Sequence, residues 1–113
     1  MEFIINNNKW NIYEKSKKEI TDKYNEDLEE DAKCIFGLTM YPEHEIWINS
    51  EMVDDHKMKT LKHELTHCFI ESYGLGQVPN FTEEMVCDVV SSINDWINEM
   101  VKKYKLWKED KNE

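Results

Sequence analysis

The sequence predicts an α+β domain: a small, mainly antiparallel sheet packed against a helix that carries two histidines, with a second long helix beside it. Three observations point there. Two stretches in the first half alternate apolar and polar residues around turn-forming residues, the pattern of half-buried strands. Residues 52 to 73 and 82 to 105 repeat apolar side chains at three- and four-residue intervals, the helical period. The chain has 113 residues, 40% of them hydrophobic, with four Trp, five Tyr and four Phe. That is one domain, large enough to bury a core without staples.

Residues 2 to 15, EFIINNNKWNIYEK, read as two strands. Asparagine tolerates positive φ, so Asn6-Asn7-Asn8 suits a hairpin turn. Phe3 and Ile5 then share one face, and Trp10 and Ile12 share a face of the second strand. Residues 16 to 31 are polar and acidic, and Ile20, Tyr24 and Leu28 at four-residue spacing predict a short helix. In KCIFGLTMYPEHEIWIN, residues 33 to 49, the runs Cys34-Ile35-Phe36 and Ile46-Trp47-Ile48 flank a turn at Tyr41-Pro42-Glu43-His44 and predict a second hairpin.

A helix over about 52 to 73 follows, with Asn49, Ser50 and Asp54 as candidate caps. Leu61, Leu65, Cys68, Phe69 and Ser72 trace its apolar face, and Gly74 with Leu75 is its stop signal. GLGQVPN, residues 74 to 80, is a loop. The last helix, over about 82 to 105, is capped by Thr82 or Asn80. Its apolar stripe runs through Val86, Val89, Val90, Ile93, Ile97, Met100, Val101 and Tyr104. The final KEDKNE is expected to fray.

The formal net charge is −10, from 14 basic and 24 acidic residues, and every basic residue is lysine. This argues against a nucleic-acid backbone or an anionic membrane as partner, since both need a basic face. A basic protein partner is compatible. The start of the chain, MEFIINNNKW, lacks the basic and apolar regions of an export signal. No apolar run reaches transmembrane length. Cys34, Cys68 and Cys87 have no framework spacing, which suits reduced thiols and a cytoplasmic location.

LKHELTHCFIESYGLG, residues 61 to 76, carries the chemistry. Positions four apart on a helix sit nearly one above the other, so His63 and His67 can point at one ion. Glu64 lies about 100° round from His63, placed for a water on that ion and not as a ligand. Zinc suits imidazole and carboxylate ligands, and a catalytic zinc site leaves a position for water. Glu64 is then the candidate general base.

Two histidines leave a third ligand to be found. The last helix opens Thr82-Glu83-Glu84-Met85-Val86-Cys87-Asp88. Glu84 and Asp88 share a face off the valine stripe. If the two helices pack antiparallel across residues 74 to 81, that face comes toward His67. Glu84 is then the third ligand, and Asp88 accepts the N–H of His63 and holds its angle. Glu83 competes, but only Glu84 has an acid at the fourth position after it.

HELTH with a later Glu-x-x-x-Asp resembles the gluzincin class of zinc metallopeptidases. IWIN, TLKHELTHCFIESYGL and EEMVCD together resemble the small ImmA/IrrE-type metallopeptidases of phages and mobile elements, over residues 46 to 90. The resemblance implies a minimal zincin-like fold, with His63, His67 and Glu84 as zinc ligands, Glu64 as catalytic base and Asp88 orienting a ligand. It implies hydrolysis of a peptide bond in a specific intracellular protein such as a transcriptional repressor. Thr66 stands where those proteins often have glycine, and Cys87 where they often have alanine.

A donor for the oxyanion of the tetrahedral intermediate is also needed. Tyr73 and His44 are candidates, with Tyr41 and His56 beside them. Cys68 follows His67 directly and reads as a packed core thiol. So short a chain predicts an open, shallow cleft that relies on a docked protein to position the bond. Ile46-Trp47-Ile48, if at a sheet edge, would hold an extended substrate by strand addition. The alternative reading is an inactive zinc-containing binding module that acts by docking to a protein partner.

Overall fold

In the computed structural model, which describes residues 1–26, 35–80 and 82–111 apart from the side chains at 83 and 84, the chain opens with a hairpin. β1 (Glu2–Ile5) pairs antiparallel with β2 (Asn8–Lys15), Phe3 opposite Trp10. Asn6 and Asn7 form the turn with φ of 46° and 64°, the left-handed pair that a two-residue hairpin needs. Phe3, Ile5, Trp10 and Ile12 are all buried, as the alternation predicts.

α1 (Lys17–Asn25) starts at a capping box. The Ser16 hydroxyl accepts from the Glu19 N–H at 3.1 Å, and the Glu19 carboxylate reaches back to the Ser16 N–H at 3.4 Å. Ile20 is its buried residue, and Leu28 lies outside the described residues. The chain returns in β3 (Gly37–Met40) and β4 (Glu45–Asn49), an antiparallel pair joined by a turn in which His44 takes a φ of 55°. β4 also pairs parallel with β2, Ile12 beside Ile46, so the sheet order is β1-β2-β4-β3. The sheet is thus mainly antiparallel, with one parallel seam made by the crossover through α1.

Two features of this hairpin correct the sequence reading. The first strand is Gly37–Met40, not Cys34-Ile35-Phe36; Cys34 lies outside the described residues and Phe36 is half exposed. Gly37 and Thr39 turn toward the next helix and meet a glutamate there, so the apolar run is not needed to fill that face. And β4 is not an edge, because β2 and β3 occupy both its sides; the edges are β1 and β3.

α2 (Asp54–Ser72) and α3 (Glu83–Lys111) pack over the sheet. The core joins Trp10, Ile12, Ile46 and Ile48 of the sheet to Leu61, Leu65 and Cys68 of α2 and Ile93, Ile97, Met100, Val101 and Tyr104 of α3. Fully burying one such aliphatic side chain contributes about 1.5–3 kcal/mol. Val53, not Asn49, Ser50 or Asp54, takes the N-cap of α2, with no side-chain bond. The Asn49 side chain is spent one turn earlier, accepting from the Glu51 N–H at 2.9 Å and donating to the Ile35 carbonyl at 3.3 Å. Asp54 and Asp55 in the first turn complement the helix dipole instead. Gly74, at a φ of 65°, follows α2, and a 3₁₀ turn (Leu75–Gln77) occupies the loop.

The Thr82 hydroxyl accepts from the Met85 N–H at 3.3 Å at the start of α3. The helix then runs past residue 105 to Lys111, so Lys108–Lys111, expected to fray, continue the helix. Glu14 on β2 gives the reason. It lies 2.9 Å from the Lys57 ammonium and 2.5 Å from that of Lys108, and it accepts from the Tyr104 hydroxyl at 2.6 Å. One carboxylate thereby ties the sheet to both helices. Val86 and Val90, expected in the apolar stripe, are exposed; the buried stripe begins at Ile93.

Candidate metal centre and its cleft

His63 and His67 project from the exposed side of α2, and their Nε2 atoms stand 3.1 Å apart. Two nitrogens each about 2.0–2.1 Å from a tetrahedral ion are about 3.3 Å apart. The spacing of the pair is within a few tenths of an ångström of what a shared metal needs. The rings lie edge to face at a centroid distance of 4.8 Å. Without an ion, one Nε2–H can donate to the other Nε2.

Glu64 lies round the helix on its buried side. It is buried, 7% exposed, between α2 and β3. The Thr39 hydroxyl lies 2.9 Å from Glu64 Oε1 and 3.0 Å from the Glu64 carbonyl oxygen. Gly37, two residues earlier on the same strand, leaves room for the carboxylate. A Cβ there would stand 3.1 Å from Glu64 Oε2, 3.0 Å from its Cγ and 2.8 Å from Thr60 Cγ2.

His63 and Glu64 open together onto a cleft of about 420 Å³. Tyr24 of α1, Ile35, Phe36 and Gly37 form its sheet side, and His56, Lys59 and Thr60 its helix side. The Phe36 and His56 rings meet at 4.7 Å. Half-exposed Phe36 thus gives the cleft an apolar wall beside a buried carboxylate and an exposed imidazole.

The start of α3 lies farther off. Lys57, early in α2, and Lys108, late in α3, share Glu14, while the Phe69 and Trp96 rings meet at 5.8 Å. The helices are therefore antiparallel, with residue 69 level with residue 96. Asp88 is eight residues before Trp96, about 12 Å along the axis, and His63 is six residues before Phe69, about 9 Å the opposite way. The structure does not bring Asp88 to His63. Its side chain is exposed and makes no hydrogen bond or ion pair among the described residues, while its carbonyl accepts from the Ser92 hydroxyl at 2.8 Å. The Glu84 side chain lies outside the described residues. Among the described residues no three His, Cys, Asp or Glu side chains converge as a metal set.

Of the candidate oxyanion donors, His56 lines the cleft with His63 and Glu64; Tyr73, His44 and Tyr41 do not. His44 stacks on Trp10 at 5.0 Å and 12°, and Tyr73 packs on Phe69 at 4.8 Å. Cys68 is fully buried, and burial pushes its thiol up to about 12, against a weak contact to Ser72. A thiol held protonated is a poor ligand or nucleophile.

Glu71, four residues after His67, was not singled out by sequence although the helical spacing was available. Burial raises its carboxyl above the usual range; His67 works against this rise and Glu64 adds to it. Thr39 and Gly37 carried no sequence signal, because their role depends on how β3 meets α2. No described helix is long and apolar enough to cross a membrane. Comparison with protein-family models, curated proteins and solved structures finds no match.

Proposed function

We propose that this protein is a zinc-dependent metallopeptidase that hydrolyses a peptide bond in a specific intracellular protein. The observation that carries the reading is the 3.1 Å approach of the His63 and His67 Nε2 atoms, with His63 and the buried Glu64 lining one cleft. His63 and His67 would hold the metal. The family resemblance supplies Glu84 as third ligand and Asp88 as the residue orienting His63, within a zincin-like fold. Asp88 stands roughly 20 Å along the helix axes from His63 in the arrangement described, so this ligand set is the part of the reading that zinc affinities of Glu84 and Asp88 variants must test. Bound zinc supplies Lewis acidity toward water and a carbonyl oxygen.

The chain's own residues do the remaining work. Glu64 takes a proton from water as the water oxygen bonds to the peptide carbonyl carbon. It returns that proton to the leaving nitrogen as the C–N bond breaks. His56, which lines the cleft, would donate to the developing oxyanion. The apolar wall of Tyr24, Ile35 and Phe36 receives a neighbouring side chain, and the cleft's openness assigns much of the positioning to a docked protein substrate.

Exposed Val86 and Val90 favour a second reading, in which zinc serves the fold and the protein acts by docking. Glu64→Gln separates the two. A peptidase variant keeps fold and metal and loses cleavage of a captured partner, whereas a docking protein keeps its effect. Zinc analysis of wild type and His63→Ala tests the centre: wild type without stoichiometric zinc removes the proposal.

A further inference from the structure

The helix alone does not explain why the Glu64 carboxylate stops where it does. A glutamate has three rotatable side-chain bonds, and freezing them is entropically unfavourable. β3 supplies the restraint from two positions on one face of the strand. At Thr39, a hydroxyl stands 2.9 Å from Oε1 and 3.0 Å from the Glu64 carbonyl oxygen. It has one hydrogen to donate, and a carboxylate oxygen is a stronger acceptor than a peptide carbonyl. At Gly37, the missing side chain leaves the space that Oε2 occupies, 3.1 Å from where a Cβ would be. Gly37 and Glu64 both line the cleft.

We propose that Thr39 and Gly37 form a seat for Glu64 that engages Oε1 and leaves Oε2 as the oxygen presented to the cleft. Thr39 is then a positioning residue, and the proposal rests on reading Glu64 as the base. A base must lie within hydrogen-bond reach of the proton it takes. The seat keeps one oxygen there before substrate arrives, and it ties the base, which α2 carries with the histidines, to the edge strand β3 as well. Among the described residues the Thr39 hydroxyl bonds to Glu64 and to neither histidine, so its effect is separable from metal binding.

The test compares wild type, Thr39→Val, Thr39→Ser and Glu64→Gln, each loaded with zinc, on a pool of internally quenched peptides. Zinc content is measured for each, and kcat and KM are determined on a peptide that wild type cleaves. Valine keeps the shape of threonine and removes the hydroxyl; serine restores it. Thr39→Val is expected to keep zinc and KM and to lose kcat by about 10–100-fold, on the scale of a misplaced catalytic group. Thr39→Ser is expected to recover most of it. Crystal structures of both variants give a readout independent of turnover. The Glu64 carboxylate should leave its position in Thr39→Val and keep it in Thr39→Ser.

Wild-type kcat in Thr39→Val, with Glu64→Gln inactive, overturns the seat and leaves the base. A fully active Glu64→Gln overturns both. If wild type cleaves no peptide in the pool, the crystal structures decide: a carboxylate unmoved in Thr39→Val sinks the proposal.

Discussion

The Nε2 atoms of His63 and His67 lie 3.1 Å apart on an exposed face of α2. An ion bridging them would bind the folded chain more tightly than the unfolded one, so it should stabilise by mass action. At a hundredfold excess over its dissociation constant the gain is about 2.7 kcal/mol. Zinc should therefore raise the melting temperature of wild type, and His63→Ala or His67→Ala should abolish the shift. A calorimetric scan in which zinc moves all three proteins alike would count against a shared ion.

Glu84 and Asp88 can be tested by titrating zinc against a competing chelator. Loss of a residue that orients a metal ligand weakens binding by about 10–100-fold. Asp88→Ala should fall in that range and Glu84→Ala beyond it. Wild-type affinity in both variants would place the third ligand elsewhere in the chain.

Glu14 predicts how stability depends on acid. Burial opposes its ionisation, but Lys108, Tyr104 and Lys57 outweigh burial and lower its carboxyl to about 2. An unfolded glutamate titrates at about 4.3. Because the folded value is the lower one, the stabilisation is full above about pH 4.5 and drains away as pH falls toward 2. Its size at neutral pH is about 3 kcal/mol. Glu14→Gln should lose roughly that amount at pH 7 in urea melts, and the difference from wild type should shrink by pH 3. A constant difference across that range would refute the assignment.

Space at Gly37 is a stability prediction as well as a functional one. A methyl group there meets Thr60 Cγ2 at 2.8 Å, closer than carbon atoms tolerate. Gly37→Ala should cost about 1–3 kcal/mol by overpacking, read from denaturant midpoints. Adding Thr60→Ser, which removes that methyl, should return part of the loss.

Thiol chemistry should divide by burial. Cys87 is exposed and Cys68 is buried with its thiol pushed up to about 12. Iodoacetamide followed by peptide mapping should label Cys87 in the native protein and Cys68 only after unfolding. Equal labelling under native conditions would mean that the core around Leu65 and Cys68 opens readily.

The features legible in the sequence are those settled within one turn of chain. Asn6-Asn7 marked its hairpin because few other residues accept two consecutive positive φ angles. Gly74 marked the end of α2 for the same reason. HELTH placed two imidazoles on one face and a carboxylate beside them because the helical period is 3.6 residues wherever a helix forms. Leu61, Leu65 and Cys68 were legible as core by that same period.

What the local pattern could not decide is what long-range packing decides. The strand of β3 sits at Gly37–Met40 instead of over the more apolar run before it, because Gly37 and Thr39 are the residues that fit against Glu64. β4 lies inside the sheet because β2 pairs with one side of it across the crossover and β3 with the other. The start of α3 overhangs the end of α2, leaving Val86 and Val90 exposed, because Trp96 meets Phe69 and Lys108 reaches Glu14. Periodicity tells which side chains share a face of one element. Which element that face meets, and at what height, is fixed by contacts between residues as far apart as 14 and 108, and no short window of sequence contains them.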